Sequence, residues 1–130
     1  MKNRRSFITG LKSTVLQSIE IRFLKKYKPW GVILFSRNIK SIEQTKKLTD
    51  DIKKIFNDKK YPILIDQEGG RINRLSKFID TSKFTGEFFG NLYKNNFNKF
   101  VTYYKIYIIQ TCYLMHMLGM NINTVPILDV

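Results

Sequence analysis

Two carboxylates, two glycines and two arginines crowd the segment Asp66-Gln67-Glu68-Gly69-Gly70-Arg71-Ile72-Asn73-Arg74, directly after the apolar run Ile63-Leu64-Ile65. Asp66 and Glu68 can accept hydrogen bonds from hydroxyl groups such as those of a sugar, and Arg71 and Arg74 offer rigid, planar forks of donors. Gly69 and Gly70 allow the backbone to turn sharply with positive φ. A buried strand that empties into charge is where a barrel or a doubly wound sheet sets its chemistry. Residue types and spacing alone leave two readings open. The segment is either a rim that binds a polyhydroxylated ligand or a strand-to-loop turn whose charges pair with one another in solvent.

The elements around this segment alternate. Ser6 to Ile8 reads as a short first strand closed by Thr9-Gly10, and the i, i+4 spacing of Ile19, Phe23 and Tyr27 predicts a helix over Ser18 to Tyr27. Pro29 and Gly31 punctuate the chain before a second buried strand at Val32 to Phe35. Ser41 and Gln44 fit a capping box that opens a helix with Leu48, Ile52, Ile55 and Phe56 on one stripe, stopping near Asn57-Asp58. Ile63 to Ile65 is the third strand. Residues Ser76 to Asn98 read as a long loop with at most a short helical turn, Phe100 to Leu118 as a helix ended by Gly119, and Asn123 to Leu128 as a fourth strand ending in Asp129. This order predicts an α/β fold of parallel strands joined by right-handed crossovers, with Asp66 and Asp129 on the same rim of the sheet.

With 130 residues and 15.4 kDa the chain has room for one domain. Its net charge of +13 and pI near 9.9 invite a polyanionic partner. The basic residues are dispersed, however. Lys25, Lys26 and Lys28 close one helix, Lys46, Lys47, Lys53 and Lys54 run along the next, and Lys59 and Lys60 sit in a loop, so they read as solvated faces and no nucleic-acid partner is expected. The single cysteine, Cys112, excludes an internal disulfide, supports no thiolate metal site, and has neighbours that suggest a buried helical position. His116, the only histidine, lies in an apolar helix and reads as structural. The N-terminus lacks the apolar core of a secretory signal, and the apolar stretch from Ile106 to Met120 is too short to span a bilayer. A soluble, cytoplasmic chain without metal or cofactor is expected.

Three segments carry a family resemblance: P-W-G-V-I-L-F-S-R-N-I (Pro29 to Ile39), I-D-Q-E-G-G-R-I-N-R-L (Ile65 to Leu75) and G-M-N-I-N-T-V-P-I-L-D-V (Gly119 to Val130). Together they resemble glycoside hydrolase family 3, and within it the bacterial β-N-acetylglucosaminidases (β-hexosaminidases) of peptidoglycan recycling. The resemblance implies a TIM-type (β/α)₈ barrel that removes terminal N-acetylglucosamine from muropeptides in the cytoplasm, by retaining chemistry with an aspartate nucleophile and no metal. Asp66 matches an aspartate that hydrogen-bonds sugar hydroxyls, and Arg74 an arginine of the substrate site. Glu68 and Arg71 would support them, and Asp129 would be structural. Arg37 and Asn38 match the turn after strand two, which would brace the rim.

The departures shape the expectation as much as the matches. Members of the family carry a lysine-histidine motif and a glycine-histidine pair after strand five, and a nucleophilic aspartate after strand seven; residues 1–130 contain neither. The resemblance therefore implies the N-terminal half of the domain, a partial barrel of about four parallel strands, with the catalytic residues expected beyond Val130 and His116 unable to replace them. The loop at Ser76 to Lys83 also lacks a proline common there. Such a half exposes strand edges and half an interior. It is expected to be inactive alone, with a muropeptide or other β-hexosaminide and a complementary C-terminal half as partners. The alternatives are a non-catalytic sugar-binding or split-enzyme half and, last, a basic nucleic-acid binder.

Overall fold

Alternating apolar runs and amphipathic stretches produce the expected alternation of strands and helices in the computed structural model, which describes residues 3–126. The elements are β1 (Arg5–Gly10), α1 (Ser18–Tyr27), β2 (Pro29–Leu34), a short 3₁₀ turn (Ser36–Asn38), α2 (Ile42–Ile55), β3 (Ile63–Ile65), α3 (Gly86–Asn95), α4 (Phe97–Met117) and β4 (Ile122–Asn123). All strand pairs are parallel and the spatial order is β1-β2-β3-β4, each strand beside its predecessor.

The strand register sorts the sheet into two faces. Val32 pairs with Ile63 and Leu34 with Ile65, and these four residues are fully buried. They form one core cluster with Leu24 of α1, Leu48 and Ile52 of α2, and Met115 of α4. Three helices therefore cover a single face. On the other face Gly10, Ile33, Leu64 and Ile122 share a row, and Ile33 and Ile122 are only half-buried. Sequential parallel strands with every packed helix on one side make an arc of a (β/α) barrel, the partial barrel expected from the sequence.

Several boundaries differ from the sequence reading, each for a local reason. β1 extends over Arg5–Gly10, and β2 begins at Pro29 and ends before Phe35. Ser41 caps α2, its Oγ accepting from the Gln44 backbone N–H at 3.2 Å, but the Gln44 side-chain Oε1 accepts from Lys40 N at 2.8 Å rather than closing the box on Ser41. The Gln44 side-chain Nε2 donates to Thr14 O at 2.6 Å, tying the β1–α1 loop to α2. The supposed loop between residues 76 and 98 contains the ten-residue helix α3, capped by Thr85 Oγ1, which accepts from Phe88 N at 3.0 Å. α4 starts at Phe97 because Asn96 caps it, accepting from Lys99 N. Cys112 is exposed, not buried: α4 turns Thr111 and Met115 inward, and the next position along a helix lies about 100° around the axis. His116 is exposed as well. β4 is Ile122–Asn123, and residues 124–126 of the expected fourth strand are not strand, Pro126 having no amide to give a ladder; the part of that expectation from residue 127, and Asp129 with it, lies outside the described residues.

Candidate functional site

Asp66 follows the last residue of β3 on the parity of Leu64, away from the helical layer. Two groups orient its carboxylate. Arg74 donates from Nη2 to one oxygen at 3.1 Å, and the Thr124 hydroxyl, just past β4, donates to the other at 3.0 Å. The ion pair is partly open to solvent, with the Arg74 and Asp66 side chains 27% and 24% exposed. A carboxylate has lone-pair sites for about four bonds, so Asp66 keeps acceptor capacity for an incoming hydroxyl.

Arg74 is held from behind. Its guanidinium lies 5.5 Å from the Phe35 ring centroid, and Arg37 lies over the same ring at 4.6 Å. Arg37 Nε also donates to Leu11 O at 2.8 Å. Asn38, fully buried, accepts from Phe35 N and donates to Leu11 O and Ser13 O. The turn after β2 thus fixes Phe35, and Phe35 fixes the plane on which Arg74 rests. Arg74 Nε is buried without a hydrogen-bond partner among the described residues.

The loop carrying these groups is anchored by amide side chains that the sequence reading passed over. Asn123 makes a reciprocal pair with the backbone of Gln67: its Oδ1 accepts from Gln67 N at 3.0 Å and its Nδ2 donates to Gln67 O at 3.1 Å. Asn121 repeats the device one residue pair earlier, accepting from Ile63 N at 2.8 Å and donating to Tyr61 O at 3.0 Å. Each asparagine amide supplies the donor and acceptor that a ladder neighbour would supply. The Gln67 side chain is buried and accepts from Leu75 N at 3.0 Å, closing the loop across its base. The only available sequence signal was the Asn-x-Asn alternation inside the third motif.

Gly69 takes φ of +89°, and a Cβ there would come within 2.6 Å of both Phe84 O and the Tyr107 hydroxyl. That hydroxyl lies 3.3 Å from Glu68 O and donates to it, joining the turn to α4. Burial is the main reason the Tyr107 phenol is held above its usual pKa, with Tyr104 adding to the shift and Thr111 opposing it. Glu68 and Arg71, which the sequence placed beside Asp66 and Arg74, instead line a neighbouring cavity of about 700 Å³ walled by Phe84, Phe89, Tyr104 and Tyr107. The structure brings together Asp66, Arg74 and Thr124, and places Glu68 and the exposed Arg71 in the lining of that cavity. Asp129 lies outside the described residues. No group of three or more His, Cys, Asp or Glu suited to a metal occurs among the described residues, and no described helix is long and apolar enough to cross a membrane.

No family model matches the chain. Curated proteins do. A β-hexosaminidase of Alkalilimnicola ehrlichii is 48% identical over 67 residues, covering 50% of this chain and 18% of that protein. A β-hexosaminidase of Hydrogenovibrio crunogenus is 45% identical over 70 residues, 54% of this chain and 19% of that protein. The matched region is thus about a fifth of those relatives' length. Among solved structures, native NagZ of Neisseria gonorrhoeae superposes with a TM-score of 0.75 at 23% identity over 98% of this chain and 37% of its own. The same protein in complex with N-trifluoroacetyl-D-glucosamine matches at 35% identity over 55% of this chain and 21% of its own, with a TM-score of 0.50. A family 3 β-N-acetylglucosaminidase of Paenibacillus covers 95% of this chain and 23% of its own at 24% identity and a TM-score of 0.73. The chain resembles glycoside hydrolase family 3 β-hexosaminidases in sequence, and their N-terminal α/β domain in fold.

Proposed function

From that resemblance, we propose that residues 1–130 supply one part of the sugar site of a retaining β-N-acetylglucosaminidase acting on peptidoglycan fragments. The observation that carries the reading is the Asp66–Arg74–Thr124 constellation at the carboxyl ends of β3 and β4. Asp66 binds hydroxyls of a terminal N-acetylglucosamine through its remaining acceptor sites, and Arg74 donates to a neighbouring oxygen. Hydrogen bonds of this kind, made to a charged group, strengthen as the sugar ring distorts toward the transition state. A retaining glycosidase also needs a nucleophile and an acid/base flanking the scissile bond. Asp66 is committed to Arg74 and Thr124 and is assigned neither role. The nucleophile and the acid/base are assigned to polypeptide outside residues 1–130, on a complementary half that completes the barrel. Glu68 and Arg71 support the turn from the cavity side, and Asp129, outside the described residues, is assigned a supporting role.

The test uses a chromogenic N-acetyl-β-glucosaminide. The chain alone releases no chromophore, whereas co-expression with the C-terminal half of a β-hexosaminidase restores turnover. In the restored enzyme Asp66→Asn lowers kcat/KM by about 10- to 100-fold, the loss expected for a hydrogen bond to a charged group. Turnover by the chain alone, or a restored enzyme indifferent to Asp66→Asn, overturns the proposal.

A further inference from the structure

Helix α4 is apolar on two sides. Its inward side is settled by burial: Thr111 and Met115 are buried, and Tyr104, Tyr107, Ile108 and Leu114 are half-buried against the core and the aromatic wall. The opposite side should be polar in a surface helix. It carries instead Ile106, Ile109 and Tyr113, at 49%, 56% and 67% exposure, around the exposed Thr102, while Tyr103 (48%) and Val101 (45%) lie farther round, beyond the flanking lysines. At about 100° per residue Ile106, Ile109 and Tyr113 form a strip along the outer face, with Lys99 on one flank and Lys105 on the other. The helix has 21 residues and contains no aspartate or glutamate.

We propose that this strip docks the protein on an anionic lipid surface. Three properties select that occupant. An apolar strip bordered on both sides by lysines suits the boundary between headgroups and acyl chains, where the aliphatic side chains enter and the ammonium groups reach lipid phosphates. Tyr113 carries a ring with a polar tip, the type enriched at that depth. The charge is cationic locally and across the chain at +13, which an anionic leaflet attracts. A second copy of the same strip fits less well, because pairing two α4 helices brings Lys99 and Lys105 toward lysines with no acidic residue on the helix to meet them. The strip lies on the outer helical layer, opposite the sheet, so docking leaves the Asp66–Arg74 rim unobstructed. The inference is independent of the sugar-site reading.

The test is co-sedimentation of the full chain with vesicles of phosphatidylcholine alone or with a minority of phosphatidylglycerol. The protein pellets with the anionic vesicles at least about tenfold more than with the neutral ones, and the binding falls as salt is raised. The double variant Ile106→Glu/Ile109→Glu loses binding by about tenfold or more, with an unchanged far-ultraviolet spectrum because both positions are exposed. Lys99→Gln/Lys105→Gln removes most of the preference for anionic lipid. As a second readout, Tyr113→Trp gains fluorescence quenched by brominated acyl chains beyond that of the parent with Trp30. Equal binding by the glutamate variant, absence of binding to either vesicle, or a concentration-dependent dimer in sedimentation velocity that the same glutamates dissolve overturns the proposal. The last outcome would assign the strip to a second copy.

Discussion

Replacing Asn123 by alanine probes the clamp that holds the candidate site. Its side chain makes two hydrogen bonds to Gln67, 3.0 Å to the amide and 3.1 Å to the carbonyl, both partly buried. At about 0.5–1.5 kcal/mol each, their removal lowers stability by roughly 2 kcal/mol, approaching 3 if the Gln67 groups are left unsatisfied. Gln67 immediately follows Asp66, so the loss acts on the carboxylate's position as well as on the fold. Urea unfolding of the full chain measures the first effect, and hydrogen exchange at the Gln67 amide measures the second, with faster exchange expected in the variant. Asn123→Asp separates the two bonds: it keeps the acceptor for Gln67 N but turns a carboxylate oxygen toward Gln67 O, and is expected to be the more destabilising change. A loss under about 0.5 kcal/mol with unchanged exchange at Gln67 would refute the clamp.

Two further outcomes test the surrounding frame. Tyr61 is fully buried, donates to Pro29 O at 2.8 Å, and has its pKa pushed up to about 12, chiefly by burial and against the opposing charge of Arg4. Between its ordinary value near 10 and that raised value the unfolded chain has released the proton that the folded chain still holds. Stability from this group is therefore intact below about pH 10 and falls by roughly 2 kcal/mol as pH rises toward 12, a slope that Tyr61→Phe reduces in urea titrations across that range, leaving the smaller part owed to Tyr107. Gly69→Ala forces a side chain into φ of +89° against Phe84 O and the Tyr107 hydroxyl. It should destabilise by about 1–3 kcal/mol, with protease nicking of the 66–74 loop as the readout.

Much of the frame was legible in the sequence because its signals are local. The span of α1 followed from the Ile19, Phe23, Tyr27 spacing and from Pro29, and β3 from an apolar run bounded by Pro62 and Asp66. α3 was hidden because Gly86 and Gly90 interrupt its apolar period. The exposure of Cys112 was misread because α4 carries apolar residues on both its inner and outer sides, and composition cannot say which side faces the core. The asparagine clamp was beyond reach for a different reason. Its partners are backbone groups some 56 to 60 positions away, which no side-chain pattern announces.

The two readings of the 66–74 segment, solvated turn or sugar rim, turn on how Arg74 is held. Pairing of Asp66 with Arg74 is what a solvated turn also predicts, and a partly exposed pair of this kind contributes about 0–1 kcal/mol. A solvated turn would leave the rest of the guanidinium in water. Here Arg74 Nε is buried with no hydrogen-bond partner among the described residues, and such an orphaned donor costs about 1–3 kcal/mol. The local balance is therefore unfavourable or near zero. It persists because Phe35, fixed by Asn38, confines the guanidinium from one side and Thr124 fixes the carboxylate from the other. A charge pair that neighbouring elements hold in place at little or no gain in stability fits the proposed role at a ligand-binding rim better than it fits a solvated turn.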